Sequence, residues 1–129
     1  MRVRGIGHVN LRAPTETIER LRRFYIDVIG LREGARPVFR SGSHGYWLYA
    51  NDRAVLHLTI ALNGEANSQP PGVFNHLAFD CDDLDATRAR LEQAGIHYET
   101  DVVEELYQTQ LFLSDPAGMG VELTFTRSD

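Results

Sequence analysis

Residues 7–11 read GHVNL and residues 75–79 read NHLAF; residues 55–59 read VLHLT and residues 120–125 read GVELTF. Paired in this way, His8 stands against His76, 68 positions on, and His57 against Glu122, 65 positions on. A nearly constant offset between two separate segments is the mark of an internal repeat. All four segments alternate polar and apolar residues, the pattern of a half-buried strand.

Working outward, the chain reads twice in the same order. The first pass predicts a strand at Ile6 to Leu11, a helix over about Glu16 to Ile29, and three strands ending in Val55 to Leu62. The second predicts a strand at Phe74 to Cys81, a helix over about Leu84 to Ala94, and strands ending in Gly120 to Phe125. In the first helix Ile18, Leu21, Tyr25 and Val28 form an apolar stripe, with Thr15 as cap after Pro14 and Gly30 past the end. In the second, Asp83 caps a stripe of Leu84, Leu91 and Ala94 that Gly95 ends. Asn51-Asp52 and Asp115-Pro116-Ala117-Gly118 are turn sequences. Residues 63–72, NGEANSQPPG, are polar and rich in turn formers. The expectation is one α+β domain over 1–129, with one βαβββ module at about 1–62, a linker at 63–72 and a second module at about 73–129.

Side chains on a strand alternate faces. His8 shares a face with Ile6 and Asn10, His57 with Val55 and Thr59, His76 with Ala78 and Asp80, Glu122 with Gly120 and Thr124. In each strand the candidate lies opposite the strongly apolar face. If helices cover that apolar face, all four project from the other side, into a cleft where the sheet curves. Imidazoles and a carboxylate gathered on one side of an ion suit a divalent metal with open positions for water or substrate. His44, in the SGSHG turn, and His97, after Gly95, read as surface residues.

Composition narrows the function classes. The net charge is −5 with 24% charged and 43% hydrophobic residues, an ordinary globular balance that argues against a nucleic-acid surface. All thirteen basic residues are Arg; Arg20, Arg22 and Arg23 fall on the expected solvated face of the first helix. Cys81 is the only cysteine, so no intrachain disulfide forms, and its strand setting suggests a small buried hydrophobe. No apolar run resembles a signal peptide or a membrane span, which makes a cytoplasmic protein with no membrane partner the expectation. Trp47 and Tyr49 share one strand face, and Gln108, Gln110 and Phe112 another. They are expected to line a pocket for a small aromatic or apolar molecule. No cationic cluster is expected on the pocket-facing strands.

GHVNL at His8, RRFYIDVIGL in the first helix, HLAFDCDDLDATRARLEQAGI after the linker and LFLSDPAGMGVEL at the end resemble the vicinal oxygen chelate superfamily. That superfamily includes glyoxalases, extradiol dioxygenases and bleomycin-resistance proteins. The resemblance covers almost the whole chain. It implies paired βαβββ modules forming a cupped mixed sheet around a divalent metal (Fe, Mn, Zn or Ni), with His8, His76 and Glu122 as ligands. It also implies chelation of a small-molecule substrate through adjacent oxygens. Glyoxalase I-like members carry a Glu where this chain has His57. Extradiol dioxygenases, similar here in having an acid-base His, tend to have a Tyr where this chain has Phe112. An extradiol-dioxygenase-like enzyme is the leading expectation, a glyoxalase-like lyase or isomerase the alternative, and an antibiotic-binding protein of the bleomycin-resistance kind the third. His57 is expected as an acid-base group or a fourth ligand, and in the latter case Glu122 is the group exchanged during catalysis. A cupped domain leaves a sheet face and edges uncovered, so a homodimer is expected.

Overall fold

The computed structural model describes residues 1–62 and 73–127; the linker expected at 63–72 lies outside the described residues. The chain divides into two compact units, Met1–Ser68 and Gln69–Asp129. Each unit carries one four-stranded mixed sheet and one α-helix, an α+β arrangement repeated in the same order.

In the first unit, β1 (Val9–Ala13), β2 (Arg32–Gly34), β3 (Gly45–Ala50) and β4 (Arg53–Ile60) lie in the spatial order β1-β4-β3-β2. β1 runs parallel to β4, and the other pairs are antiparallel. The strand expected from Ile6 starts at Val9, which leaves His8 just ahead of it. Asn51, at φ 53°, turns the two-residue hairpin between β3 and β4. Within that hairpin the register slips: Leu48 faces Leu56, but Tyr49 faces Ala54, so Val55 is the extra residue of a bulge.

The helix α1 (Thr15–Arg23) lies on the apolar face of this sheet, and Ile18, Leu21 and Tyr25 are buried with Leu48, Leu56 and Leu58. The single helix expected to run to Ile29 instead widens after Arg23 into a π-turn, Phe24–Val28, in which the Ile29 N–H donates to the Phe24 carbonyl. An α-helix holds neighbouring residues about 100° apart; with the wider turn both Phe24 and Tyr25 are buried. Thr15 is the first helical residue and not the cap, a place taken by Pro14 with no side-chain bond. The expected solvated face also needs correction at Arg22. Its Nε donates to Glu33 Oε1 at 2.6 Å and its guanidinium sits 4.6 Å over the Tyr46 ring, while the Tyr46 hydroxyl donates to Glu19. That network straps α1 to β2 and β3.

The second unit repeats the plan with β5 (His76–Cys81), α2 (Leu84–Gln93), β6 (Glu99–Val103), β7 (Gln108–Ser114) and β8 (Gly120–Thr126) in the order β5-β8-β7-β6. β5 is parallel to β8. Asp83, at φ 62°, caps α2 by accepting from the Ala86 N–H at 3.1 Å, as its sequence position suggests. The expected stripe on α2 is thinner than read: Leu91 alone is buried, Leu84 is half-buried, and Ala94 falls beyond the helix and is exposed. The core here comes mainly from the sheet itself, through Leu111, Leu113, Val121, Leu123 and Phe125. Between β7 and β8, the buried Asp115 accepts from the N–H groups of Ala117 and Met119 at 2.8 and 2.9 Å, closing the turn that launches β8. Cys81 is half-buried, and burial pushes its thiol up, the opposite of an activated nucleophile.

Gly45 opens β3 where backbone meets backbone: a Cβ there would stand 1.9 Å from the Leu58 carbonyl oxygen. Gly45→Ala is therefore expected to cost about 2 kcal/mol or more of stability, the range of overpacking against an unyielding neighbour. Urea unfolding of the variant checks this.

Candidate metal centre

Register delivers the four candidate residues as two pairs, one in each unit. In the first unit Asn10 faces His57 across the parallel β1/β4 pair, and His8, two residues before Asn10, shares that face. In the second unit Ala78 faces Glu122 across β5/β8, and His76, two residues before Ala78, shares that face. The repeat read from the sequence is thus a repeat of hydrogen-bonded register. Among the described residues no group of three or more His, Cys, Asp or Glu side chains that could hold a metal is gathered.

The second pair is preset. His76 Nε2 lies 3.5 Å from Glu122 Oε1. The atoms pointing away from this contact are tied off: His76 Nδ1 lies 2.7 Å from Asn75 Oδ1, and the Thr124 hydroxyl donates to Glu122 Oε2 at 2.7 Å. A carbonyl oxygen opposite Nδ1 calls for the proton on Nδ1, which leaves the Nε2 lone pair facing Oε1. Two donors each about 2.1 Å from one ion stand about 3.0–3.4 Å apart at octahedral or tetrahedral angles. The pair fits two ligands of a single divalent metal. Gly120, which faces His76, makes room for it, since a Cβ there would come within 2.9 Å of the His76 Cβ.

The first pair is built differently. The rings of His8 and His57 stack with centroids 3.8 Å apart and planes 11° from parallel. Trp47, facing His57 across β3/β4, stacks on the opposite side at 4.1 Å, also at 11°. His57 is the middle ring of three. Its burial, and then the neighbouring His8, push its pKa below the usual histidine range, while a hydrogen bond to the backbone of Ala54 works the other way. The neutral imidazole is the favoured form.

The expected pocket residues divide. Trp47 and Phe112 occupy matching places, each opposite the polar residue of its own sheet, and Phe112 meets His76 edge-on at 6.3 Å. Tyr49 is drawn away from His57: its hydroxyl donates to the Ala35 carbonyl and Arg32 lies 5.3 Å over its ring. Gln110 faces Thr124, next along from Glu122 on the same side, and donates to Gln108 at 3.4 Å. His44 is an exposed loop residue, and His97 is exposed and pairs with Glu99 at 2.7 Å.

Two groups escaped the sequence reading. Asn75 and Thr124 hold the second pair, and only their adjacency to His76 and Glu122 on the strands hinted at it. Arg12 is the other, a single cationic residue and not a cluster: it faces Thr59, so it shares the side of Asn10 and His57, and it lines a cavity of about 250 Å³ with Ser41, Ser43, Thr59, Ile60 and Leu62. Alternation from His8 through Asn10 to Arg12 carries that signal. Thr59 donates to Asn10 Oδ1 at 2.7 Å on the same face.

If Asn75 sets the proton of His76, Asn75→Ala releases it. Imidazole ¹⁵N spectra of the metal-free protein are expected to show His76 as one Nδ1–H tautomer, and a mixture with Nε2–H in the variant.

Comparison with known proteins agrees with this architecture. Residues 5–123 match the Glyoxalase/Bleomycin resistance protein/Dioxygenase superfamily. An Arabidopsis thaliana protein named Glyoxylase I 4 is 27% identical over 124 residues, spanning 92% of this chain and 69% of the relative. The uncharacterised YaeR of Escherichia coli K12 is 32% identical over 105 residues, 78% of this chain and 81% of the relative. The crystal structure of a glyoxalase family protein from Bacillus anthracis superposes with a TM-score of 0.74 at 26% identity, over 98% of this chain and all of that one. The repeated βαβββ unit and the match over nearly all its length place the chain in the Glyoxalase/Bleomycin resistance protein/Dioxygenase superfamily.

Proposed function

We propose that the chain is a divalent-metal-dependent enzyme that holds a small, aromatic or apolar substrate through two adjacent oxygens, in the manner of an extradiol dioxygenase. His8, His76 and Glu122 are the metal ligands in this reading, and the ion is Fe, Mn, Zn or Ni. The observation that carries it is the His76–Glu122 pair, held 3.5 Å apart with Asn75 and Thr124 occupying the outward atoms. Such outer partners orient ligands and set their protonation. An ion bound there supplies Lewis acidity toward the chelated oxygens.

The chain's own groups do the rest. His57, kept neutral by burial and by His8, is suited to accept a proton from a substrate hydroxyl near neutral pH. Thr124 holds Glu122 Oε2, which leaves Oε1 beside His76 Nε2. Trp47 and Phe112 offer aromatic faces beside the polar residues, Gln110 offers an amide, and Tyr49 contributes its ring while its hydroxyl is engaged. A homodimer is part of the proposal, and light scattering after gel filtration tests it. Among the described residues no helix is long and apolar enough to cross a membrane.

A second reading, a glyoxalase-like lyase or isomerase, draws support from the relative named Glyoxylase I 4 and from Arg12. A guanidinium at the edge of a 250 Å³ cavity on the His57 side suits a substrate with an anionic end.

Protein purified without an affinity tag is expected to hold about one metal per chain, and His76→Ala and Glu122→Gln to lower its metal affinity at least tenfold. Substoichiometric metal that neither change affects would sink the enzyme reading and leave a binding protein that works without a metal. With metal present, ring cleavage of catechols against turnover of a methylglyoxal–thiol hemithioacetal separates the two chemistries. His57→Gln is expected to lower kcat on the true substrate about 100-fold or more, as loss of a proton-transfer group does.

A further inference from the structure

We infer that the N-terminal arm of the first unit, with Arg4 and Arg53, forms a separate binding site for an oxyanion, a carboxylate or a phosphate, carried on a small apolar body. The site is a cavity of about 410 Å³ lined by Val3, Arg4, Gly5, Ile6, Gly7 and Arg53. That size lies within the range of small-molecule pockets, about 300–1,000 Å³. All six wall residues belong to the first unit, and none of the four candidate metal residues is among them. Charge gives the sign of the ligand. The chain carries 18 acidic residues against 13 basic, yet these walls hold two guanidiniums and no carboxylate; Asp52, next to Arg53, is not part of them. Two like charges on one cavity disfavour each other until an anion comes between them. Their forked N–H groups match a carboxylate or a phosphate.

The arm is held in place and yet bare. Arg53, which opens β4, donates from Nη2 to the Ile6 carbonyl at 3.2 Å. That bond ties the arm to the sheet and occupies one of the five N–H groups of the guanidinium. Arg4 is exposed and has no ion-pair partner among the described residues. Residues 1–8 belong to no helix or strand, so the N–H groups of Gly5 and Ile6 are not used in a ladder. The glycines carry the argument further. Gly45 and Gly120 answer to neighbouring backbone, but a Cβ on Gly5 or Gly7 would meet nothing within 4 Å. Gly5 has a conformational reason, a φ of 151°; Gly7 has neither crowding nor a positive φ. What both supply at the cavity wall is bare backbone, which a ligand can approach closely. Val3 and Ile6, both largely exposed, flank the cationic groups and suit the apolar body.

The test titrates the ¹⁵N-labelled full chain with phenyl phosphate, benzoate and inorganic phosphate at low salt. At least one of the two aryl anions is expected to bind with a dissociation constant of about 1 mM or tighter. Its binding shifts the Gly5, Ile6 and Gly7 amides and the Arg53 Nε–H, and the tighter of the two names the anion. It exceeds inorganic phosphate in affinity about threefold or more, through the apolar body. Arg4→Gln, which removes a charge without breaking an ion pair, weakens binding about fivefold or more, and Arg4→Lys recovers part of the loss. His76→Ala leaves the affinity unchanged, because the anion sits apart from the metal ligands. Absence of binding by either aryl anion, shifts centred away from residues 3–7 and 53, or wild-type affinity in Arg4→Gln would overturn the inference. So would loss of binding in His76→Ala, which would put the anion on the metal instead.

Discussion

The parallel pairing of each unit's first strand with its last is the constraint on which the rest depends. β1 against β4 and β5 against β8 are the only parallel pairs among the described strands, and each joins segments far apart in sequence. A slip of one residue in either would turn every side chain to the opposite face and send the polar residues into the core. The apolar faces prevent it. Leu56 and Leu58 in one sheet, Val121 and Leu123 in the other, are almost fully buried and tolerate no such exchange. Hydrophobic burial on one side of the sheet therefore fixes the chemistry on the other.

Two units with the same topology use that register for unlike ends. The second places an imidazole beside a carboxylate, with hydrogen bonds from neighbouring polar residues holding both. The first places an imidazole on an imidazole and holds them by ring contact and burial. Duplication supplies equivalent backbone positions, and His57 and Glu122 stand at the matching place in different surroundings: two stacked rings for one, an imidazole and a threonine hydroxyl for the other. Gly120 and Gly45 serve one need in both units: each lets its strand approach neighbouring backbone, the Asn75 carbonyl in one and the Leu58 carbonyl in the other.

Much of this was legible in the chain itself, because alternation and internal repetition survive in the sequence. The order of elements, the Asp83 cap and the faces of His8, His57, His76 and Glu122 all follow from periodicity. What was not legible depended on tertiary partners. The π-turn at Phe24–Val28 leaves no periodic signature distinct from a helix carrying adjacent aromatics. The start of β1 at Val9 is set by where Leu56 becomes available as a partner, not by Ile6 or His8. Arg22 looked solvated because nothing in its own helix shows Glu33 and Tyr46 waiting on β2 and β3. The tethering of Tyr49 to Ala35 likewise belongs to the β2–β3 connection and has no pattern of its own.

Trp47 is the chain's only tryptophan, and its indole lies flat against His57. Indole emission is quenched by a protonated imidazole in contact and altered when a neighbouring ring shifts. All of the protein's tryptophan fluorescence therefore arises at one address, the outer plate of the stack. The fold has placed a light-emitting probe against the residue whose role separates the possible chemistries, so rearrangement of that residue can be followed in solution with no label attached.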